Sequence, residues 1–126
     1  MTPTDHIFHI ATRADWDETL RSGTYTTSTV GRTLEEEGFI HASRPEQVAG
    51  VFERYYRSLG KPLVLLTIDP SRLTDAEVRF DHVGDDTYPH VYGPINRAAV
   101  VESVPLDRHG HHESTVRSGG SARLEG

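Results

Sequence analysis

The stretch EGFIHASRPEQVAGVFERYY, residues 37–56, joins a short apolar strand to an amphipathic helix. Ser43 is predicted to cap this helix, because Pro45 falls in the first turn and Glu46 completes a capping box. Apolar residues then recur three and four positions apart, which is typical of a helix with one buried face. These residues are Val48, Val51, Phe52, Tyr55 and Leu59. Gly60 is expected to end the helix.

Toward the N-terminus, the sequence predicts a strand followed by another helix. The segment DHIFHIA, residues 5–11, alternates as a half-buried strand does. Thr12 occupies the N-cap position of a helix expected over residues 13–21, which stops near Gly23. The segment GTYTTSTVGRT, residues 23–33, is rich in Thr, Ser and Gly, and is predicted to be a long exposed loop and a candidate lid.

Toward the C-terminus, the pattern indicates strands. PLVLLTID, residues 62–69, is continuously apolar and is predicted to be a central strand. EVRF, residues 77–80, reads as a strand, and DHVGDDT, residues 81–87, as a polar loop. YPHVYGPI, residues 88–95, contains two prolines, which favours an edge strand or another extended segment. AAVVESVPL, residues 98–106, is predicted to be the last strand.

Length and composition limit the class of protein. The 126 residues suit one α+β domain over residues 1–106, with two helices and a mixed or antiparallel sheet of about five or six strands, followed by a disordered tail over residues 107–126. The net charge of −6 argues against a nucleic-acid partner, and the absence of cysteine excludes thiol chemistry. No apolar run reaches the ~18 residues of a membrane span and no secretion signal is recognisable, so we expect a cytoplasmic protein.

Three histidines interrupt apolar runs near the ends of predicted strands: His9, His41 and His90. Each one suits either a structural histidine with both nitrogens satisfied inside the protein, or a member of a shared site. Imidazole offers a donor and an acceptor near neutral pH, which suits ribose hydroxyls, phosphates and amides. We therefore take His41 and His90 as candidate catalytic residues and expect the three segments to meet.

Further polar residues near these histidines are candidates for binding a cofactor. Ser43 adds a hydroxyl, and Tyr92 lies on the same strand face as His90. Arg13 and Arg44 stand at predicted helix starts, where a guanidinium suits a phosphate, although an ordinary solvated surface is the competing interpretation. The predicted cofactor-binding residues are His9, Ser43, Tyr92, Arg13 and Arg44.

Over about residues 6–106, the chain resembles the bacterial family called domain of unknown function 952. The resemblance lies in four segments in this order: IFHIATRADW, EGFIHASRPEQVAGVFERYY, LVLLTIDPSRL and YPHVYGPI. Through that family the chain resembles ADP-ribosyltransferases, and especially RNA 2'-phosphotransferases. The resemblance implies an ADP-ribosyltransferase-like fold with NAD as the cofactor, held by His9, His41 and Ser43. Many ADP-ribosyltransferases use a late glutamate, for which this sequence offers only Glu77 or Glu102.

Three hypotheses stay open at this point. The chain is an NAD-dependent transferase or an NAD-cleaving enzyme; or it is a non-catalytic module that binds a small nucleotide; or its three imidazoles hold a metal ion with one open position. The first two imply a small-molecule nucleotide as partner.

Overall fold

The computed structural model describes residues 5–107, which form an α+β fold of ten strands in four small antiparallel sheets. The strands are β1 (Ile7–Thr12), β2 (Thr24–Tyr25), β3 (Thr27–Thr29), β4 (Arg32–Thr33), β5 (Ile40–His41), β6 (Leu63–Ile68), β7 (Glu77–Val83), β8 (Asp86–Tyr92), β9 (Ile95–Asn96) and β10 (Val100–Leu106). The α-helices are α1 (Arg13–Ser22), α2 (Leu34–Glu37) and α3 (Val48–Val51), and 3₁₀ turns occupy Pro45–Gln47, Pro70–Arg72 and Arg97–Ala99. Apart from Asp107, the predicted disordered tail lies outside the described residues.

The first sheet has the strand order β1-β6-β10, and every residue of β6 is buried. Its continuous apolar sequence suits a strand covered on both faces, so the predicted central strand is confirmed. The antiparallel register of β1 on β6 pairs His9 with Leu66. This pairing fixes His9 in the middle of β1, between the buried residues of the core.

The second three-stranded sheet has the order β5-β8-β7. Of the two alternatives predicted for residues 88–95, an edge strand or another extended segment, the edge position is wrong, because the extended residues Tyr88–Tyr92 belong to the central strand. The Pro89 carbonyl accepts a hydrogen bond from the Ala42 N–H at 3.0 Å, which shows that the main-chain N and O of Pro89 face the short strand β5. The position where Pro89 lacks an N–H therefore faces the β5 side, and on that side the pairing with β8 ends at Ala42. A proline is tolerated in this central strand because it leaves the ladder with β7 complete.

A two-residue bridge joins these two sheets directly after β5. The Phe8 N–H donates to the Ser43 carbonyl at 2.8 Å, and the Ser43 N–H donates to the Phe8 carbonyl at 2.7 Å. The chain after β5 thus leaves β8 and pairs with β1. As a result, the main chain of His41 comes next to His9.

Helix α1 begins and ends as the sequence predicts. The Thr12 hydroxyl accepts the Asp15 N–H at 3.1 Å, and Gly23 closes the helix with φ of 89°. The cap of the next helical segment differs from the prediction, because buried Ser43 is used in the bridge to β1. Instead, the Gln47 side-chain oxygen accepts the Arg44 N–H at 2.8 Å.

The helical segment after Arg44 changes geometry along its length: the 3₁₀ turn and α3 are followed by a π-helical turn at Phe52–Tyr56. Phe52 and Tyr56, which are four residues apart, lie on the same buried face of this segment. Tyr55, predicted to be part of the apolar stripe, is exposed instead. The helix ends at Tyr56, four residues before the predicted stop at Gly60.

Residues 23–33 are not a long exposed loop, as the composition suggested. They form β2, which pairs with β9, and the hairpin β3–β4. Tyr25 and Ser28 are fully buried, and the Ser28 hydroxyl donates to the Phe39 carbonyl at 2.5 Å. The predicted polar loop at residues 81–87 is likewise part of the β7–β8 hairpin.

Candidate functional site

A cleft of about 320 Å³ opens where β1, β5 and β8 meet the helical segment. His9, His41, Ser43 and His90 all line it, so four of the predicted site residues come together. The other residues that line the cleft are Ile10, Thr29, Val30, Arg32, Glu37, Ala42, Val51, Arg54, Tyr55, Tyr56, Val83 and Tyr88.

His9 uses both ring nitrogens inside the protein. Its Nδ1 lies 2.5 Å from the His41 carbonyl oxygen, and its Nε2 lies 2.8 Å from the Tyr25 hydroxyl oxygen. A carbonyl only accepts, so Nδ1–H donates, and the neutral ring accepts at Nε2 from the Tyr25 O–H. Burial is the main cause that lowers the pKa of His9 to about 4. His9 is therefore a neutral residue that holds the main chain of His41 in place.

His90 is fixed by a carboxylate on the neighbouring strand. Its Nδ1 donates to Asp81 Oδ2 at 2.8 Å, and the Tyr92 hydroxyl donates to the same oxygen at 2.5 Å. These two hydrogen bonds lower the pKa of Asp81, first the one from Tyr92 and then the one from His90. With Nδ1–H committed to Asp81, the neutral form of His90 carries its lone pair on Nε2.

His41 is the exposed imidazole of the cleft, with 41% of its side chain accessible, and it lies beside His90 with the ring centroids 5.2 Å apart. Its Nε2 is 3.5 Å from Glu37 Oε1. Burial is the main cause that lowers the pKa of His41; the Glu37 hydrogen bond opposes this, and the positive charge that His90 can carry adds to it. Phe39 packs against both rings and stacks on His90 at a centroid distance of 4.1 Å.

The helical wall of the cleft carries Arg54 and Tyr55, and Tyr88 from β8 lies next to them. Hydrogen bonds to the Tyr88 and Tyr55 hydroxyl groups raise the pKa of the Arg54 guanidinium. The same guanidinium lies 5.9 Å from the centre of the Tyr55 ring. This part of the wall therefore combines a positive charge with aromatic surface.

Three of the predicted cofactor-binding residues lie away from the cleft lining. Tyr92 instead supports Asp81, and the Arg79 guanidinium lies 4.5 Å from the centre of the Tyr92 ring. Arg13 lines a separate groove beside α1 and pairs with an aspartate on that helix. Arg44 binds Asp86 and Glu46 and the Thr87 carbonyl, so its hydrogen bonds join two segments of the protein.

Four residues of this site were not predicted from sequence: Asp81, Glu37, Arg54 and Tyr88. Asp81 was placed in a polar loop, but it is the fifth residue of β7. Glu77 and Glu102, the carboxylates considered from sequence, do not line the cleft. Within residues 5–107, no group of three or more His, Cys, Asp or Glu side chains is arranged to hold a metal ion. None of the helices in this range has the length and apolar character that a membrane crossing needs.

Comparisons with known proteins define the family and the fold. A crystal structure of protein CC0527 from Caulobacter crescentus is similar, with 28% identity and a TM-score of 0.68, over 86% of this chain and 94% of that chain. The solution NMR structure of CC0527 matches with 29% identity and a TM-score of 0.64, over 83% and 89% of the two chains. No curated protein gives a significant match. Neither structure is described as an ADP-ribosyltransferase. Residues 10–103 match the family described as "Protein of unknown function (DUF952)", and the chain belongs to this family.

Proposed function

We propose that this protein is an enzyme that binds a nucleotide-like ligand in the cleft and transfers a group from it, with His41 and His90 as catalytic residues. The observation that carries the proposal is that Asp81 orients His90 directly beside the exposed His41 in one cleft. NAD is the first ligand to consider, because of the resemblance to ADP-ribosyltransferases. Neither the family description nor the matched structures name that activity or that fold.

The chemical role of the two imidazoles is acid–base catalysis. His41 has a lowered pKa, so near pH 7 it is neutral and is able to take a proton from an attacking hydroxyl. Asp81 keeps Nδ1 of His90 protonated and leaves Nε2 as the second site for a proton. His41 is therefore the proton acceptor of the pair, and His90 is the imidazole that Asp81 orients beside it.

With NAD as ligand, the bond between ribose C1' and the nicotinamide nitrogen breaks, and its electron pair goes to that nitrogen. The oxygen of water or of an acceptor hydroxyl then bonds to C1', and its proton goes to His41. The ribose is positively charged as nicotinamide leaves, so a nearby carboxylate lowers the barrier. We assign this role to Glu37, because it lines the cleft next to His41, where it is shared with Arg32 at 2.8 Å.

The remaining residues of the predicted site receive different roles in this proposal. His9 positions the His41 main chain and does not bind ligand, since both its nitrogens are used. Ser43 lines the cleft and is proposed to contact the ligand there. Tyr92 keeps Asp81 in place, and the proposal does not use Arg13 or Arg44 to bind a phosphate.

Calorimetric titration with NAD, together with an assay for released nicotinamide, tests this proposal. The wild-type protein should bind NAD and release nicotinamide, whereas His41→Ala should lose at least about a hundredfold in rate, as removal of a general base does. His82→Ala is the matched control, because His82 is exposed on β7 outside the cleft lining. No binding of NAD at millimolar concentration, or an unchanged rate in His41→Ala, would contradict the proposal.

A non-catalytic nucleotide-binding module is the second candidate, and two observations favour it. Glu37 is engaged by Arg32 at 2.8 Å, and the His90 side chain is only 5% exposed, so both groups are withheld from a ligand as the structure stands. A module of this kind would raise its melting temperature with nucleotide yet release no nicotinamide. That pair of results separates the two candidates in a single set of samples.

A further inference from the structure

We infer that Arg54, supported by Tyr88 and Tyr55, is the phosphate-binding residue of the cleft. The inference rests on the proposed function, because it concerns the same nucleotide-like ligand. It goes beyond that proposal by naming which end of the ligand binds which wall. His41 and His90 would face the reacting bond, while the phosphate would lie against the helical wall.

The distribution of ion pairs singles out Arg54. Seven of the nine arginines in residues 5–107 have a carboxylate oxygen within 4.0 Å: Arg13, Arg21, Arg32, Arg44, Arg57, Arg72 and Arg79. Arg54 and Arg97 have none among the carboxylates of the described residues, and only Arg54 of these two lines the cleft. Arg32, the other arginine in the lining, already has Glu37 as its ion-pair partner at 2.8 Å. Within residues 5–107, Arg54 is therefore the arginine of the cleft lining whose charge no carboxylate matches.

The helical segment presents this charge to the cleft. Phe52 and Tyr56 are both buried, so the residues between them are directed away from the core, and Arg54 and Tyr55 line the cleft. Single π turns inside helices occur frequently at functional sites, where they change the direction of side chains. The Arg54 guanidinium lies 5.9 Å from the centre of the Tyr55 ring, and Tyr55 and Tyr88, which line the cleft with it, are neutral and do not cancel its charge.

The chemistry of this wall matches a phosphate that is attached to a ring. A guanidinium donates two parallel hydrogen bonds to phosphate oxygens, and a phenol hydroxyl supplies a third donor. Val51, Val83 and the tyrosine rings line the same cleft and offer apolar surface to a flat base or a nicotinamide ring. We therefore expect a nucleoside mono- or diphosphate moiety, as in NAD, to bind more tightly than the bare nucleoside.

A comparison of ADP and adenosine as probes tests the inference by calorimetry. Arg54→Gln should weaken ADP binding about tenfold to a hundredfold, as expected for loss of a charge-assisted pair of hydrogen bonds, and should leave adenosine binding unchanged. Arg57→Gln is the matched control, because Arg57 follows the π turn, pairs with Glu53 and does not line the cleft. It should bind both probes like the wild type.

Two further variants protect the test against a change in folding. Arg54→Lys keeps the charge but not the paired geometry and should recover part of the ADP affinity, while Tyr88→Phe should weaken ADP a few-fold. Equal ADP affinity in Arg54→Gln and wild type, or equal losses for ADP and adenosine, would overturn the inference and leave the proposed function standing. If the wild type binds neither ADP nor NAD, the proposed function and the inference both fail.

Discussion

The burial of His9 predicts a loss of stability in mild acid. His9 is 3% exposed, and both its nitrogens are used in the neutral form, by the His41 carbonyl and the Tyr25 hydroxyl. Its pKa is lowered from 6.5 to about 4 in the folded protein. Between pH 4 and pH 6.5, His9 is therefore mostly protonated in the unfolded chain and mostly neutral in the folded chain. Stability is present above pH 6.5, falls as pH drops from 6.5 toward 4, and levels off below that.

The magnitude follows from the two pKa values. Each tenfold difference in proton affinity corresponds to about 1.4 kcal/mol, so the full difference for His9 is on the order of 3 kcal/mol. By pH 5 about 2 kcal/mol of this should already be lost relative to pH 7. That is a large part of the roughly 5–15 kcal/mol by which a domain is stable, so the effect is measurable.

The assay is urea unfolding of the wild type and His9→Gln at pH 7 and at pH 5. The glutamine does not titrate, so the wild type should lose about 2 kcal/mol more than the variant between the two pH values. His82→Gln, at an exposed position, should lose as much as the wild type. Parallel losses in wild type and His9→Gln would refute the assignment of a buried neutral imidazole. If His9→Gln does not fold, an NMR titration of the wild-type His9 ring replaces it, with a midpoint expected near 4.

Three other predictions follow from single contacts. Gly93→Ala should destabilise the protein by at least about 1–3 kcal/mol, because φ at Gly93 is 134° and a Cβ would overlap the Asp75 carbonyl oxygen. Gly50→Ala, inside α3, should instead stabilise the protein by about 0.5–1 kcal/mol. Thermal unfolding compares the two variants, and equal melting temperatures would contradict this prediction. Tyr25→Phe should cost about 1–3 kcal/mol in urea unfolding by leaving the buried imidazole without its hydroxyl partner, and a cost near zero would show that this hydrogen bond is absent in solution. The His41 ring should titrate below pH 6.5 by NMR, so group transfer should be constant above pH 7 and decline in acid; a midpoint above 6.5 would contradict the burial argument.

Elements with local causes were predictable from sequence. Helix α1 has a capping threonine before it and a glycine after it, and both act within one turn of the helix. Strand β6 is buried at every position, and five of its six residues are apolar, as expected of a strand covered on both faces. In both cases the signal and the structure it specifies lie within a few residues of each other.

Other elements depend on distant parts of the chain, and there the prediction failed. Pro89 indicated an edge strand, but its missing N–H falls where β5 has already turned to pair with β1. Residues 23–33 have the composition of a loop, but Tyr25 is buried by its contact with His9, and Ser28 by its bond to the Phe39 carbonyl. Neither partner is adjacent in sequence, so local pattern alone does not show them.

The histidines of the candidate site could be selected from sequence, whereas their partners could not. An imidazole inside an apolar strand stands out, because a buried polar group requires a partner. Asp81, Glu37 and Arg54 come from segments that look like ordinary charged surface, and only the pairing of β7 with β8 and the π turn bring Asp81 and Arg54 to their places. The role of His9 was not predictable either. Its two nitrogen contacts, to the His41 carbonyl and the Tyr25 hydroxyl, show that it supports another residue, and both partners are distant in sequence.

The central claim is that His41 and His90 together face a bound nucleotide in one cleft, and an NMR titration of the histidine rings with NAD tests it most directly. The account predicts that the ring signals of His41 and His90 shift together along one saturable binding curve. The signal of exposed His82 on β7 should stay in place. Unchanged His41 and His90 signals at millimolar NAD, or shifts confined to histidines outside the cleft, would contradict the account.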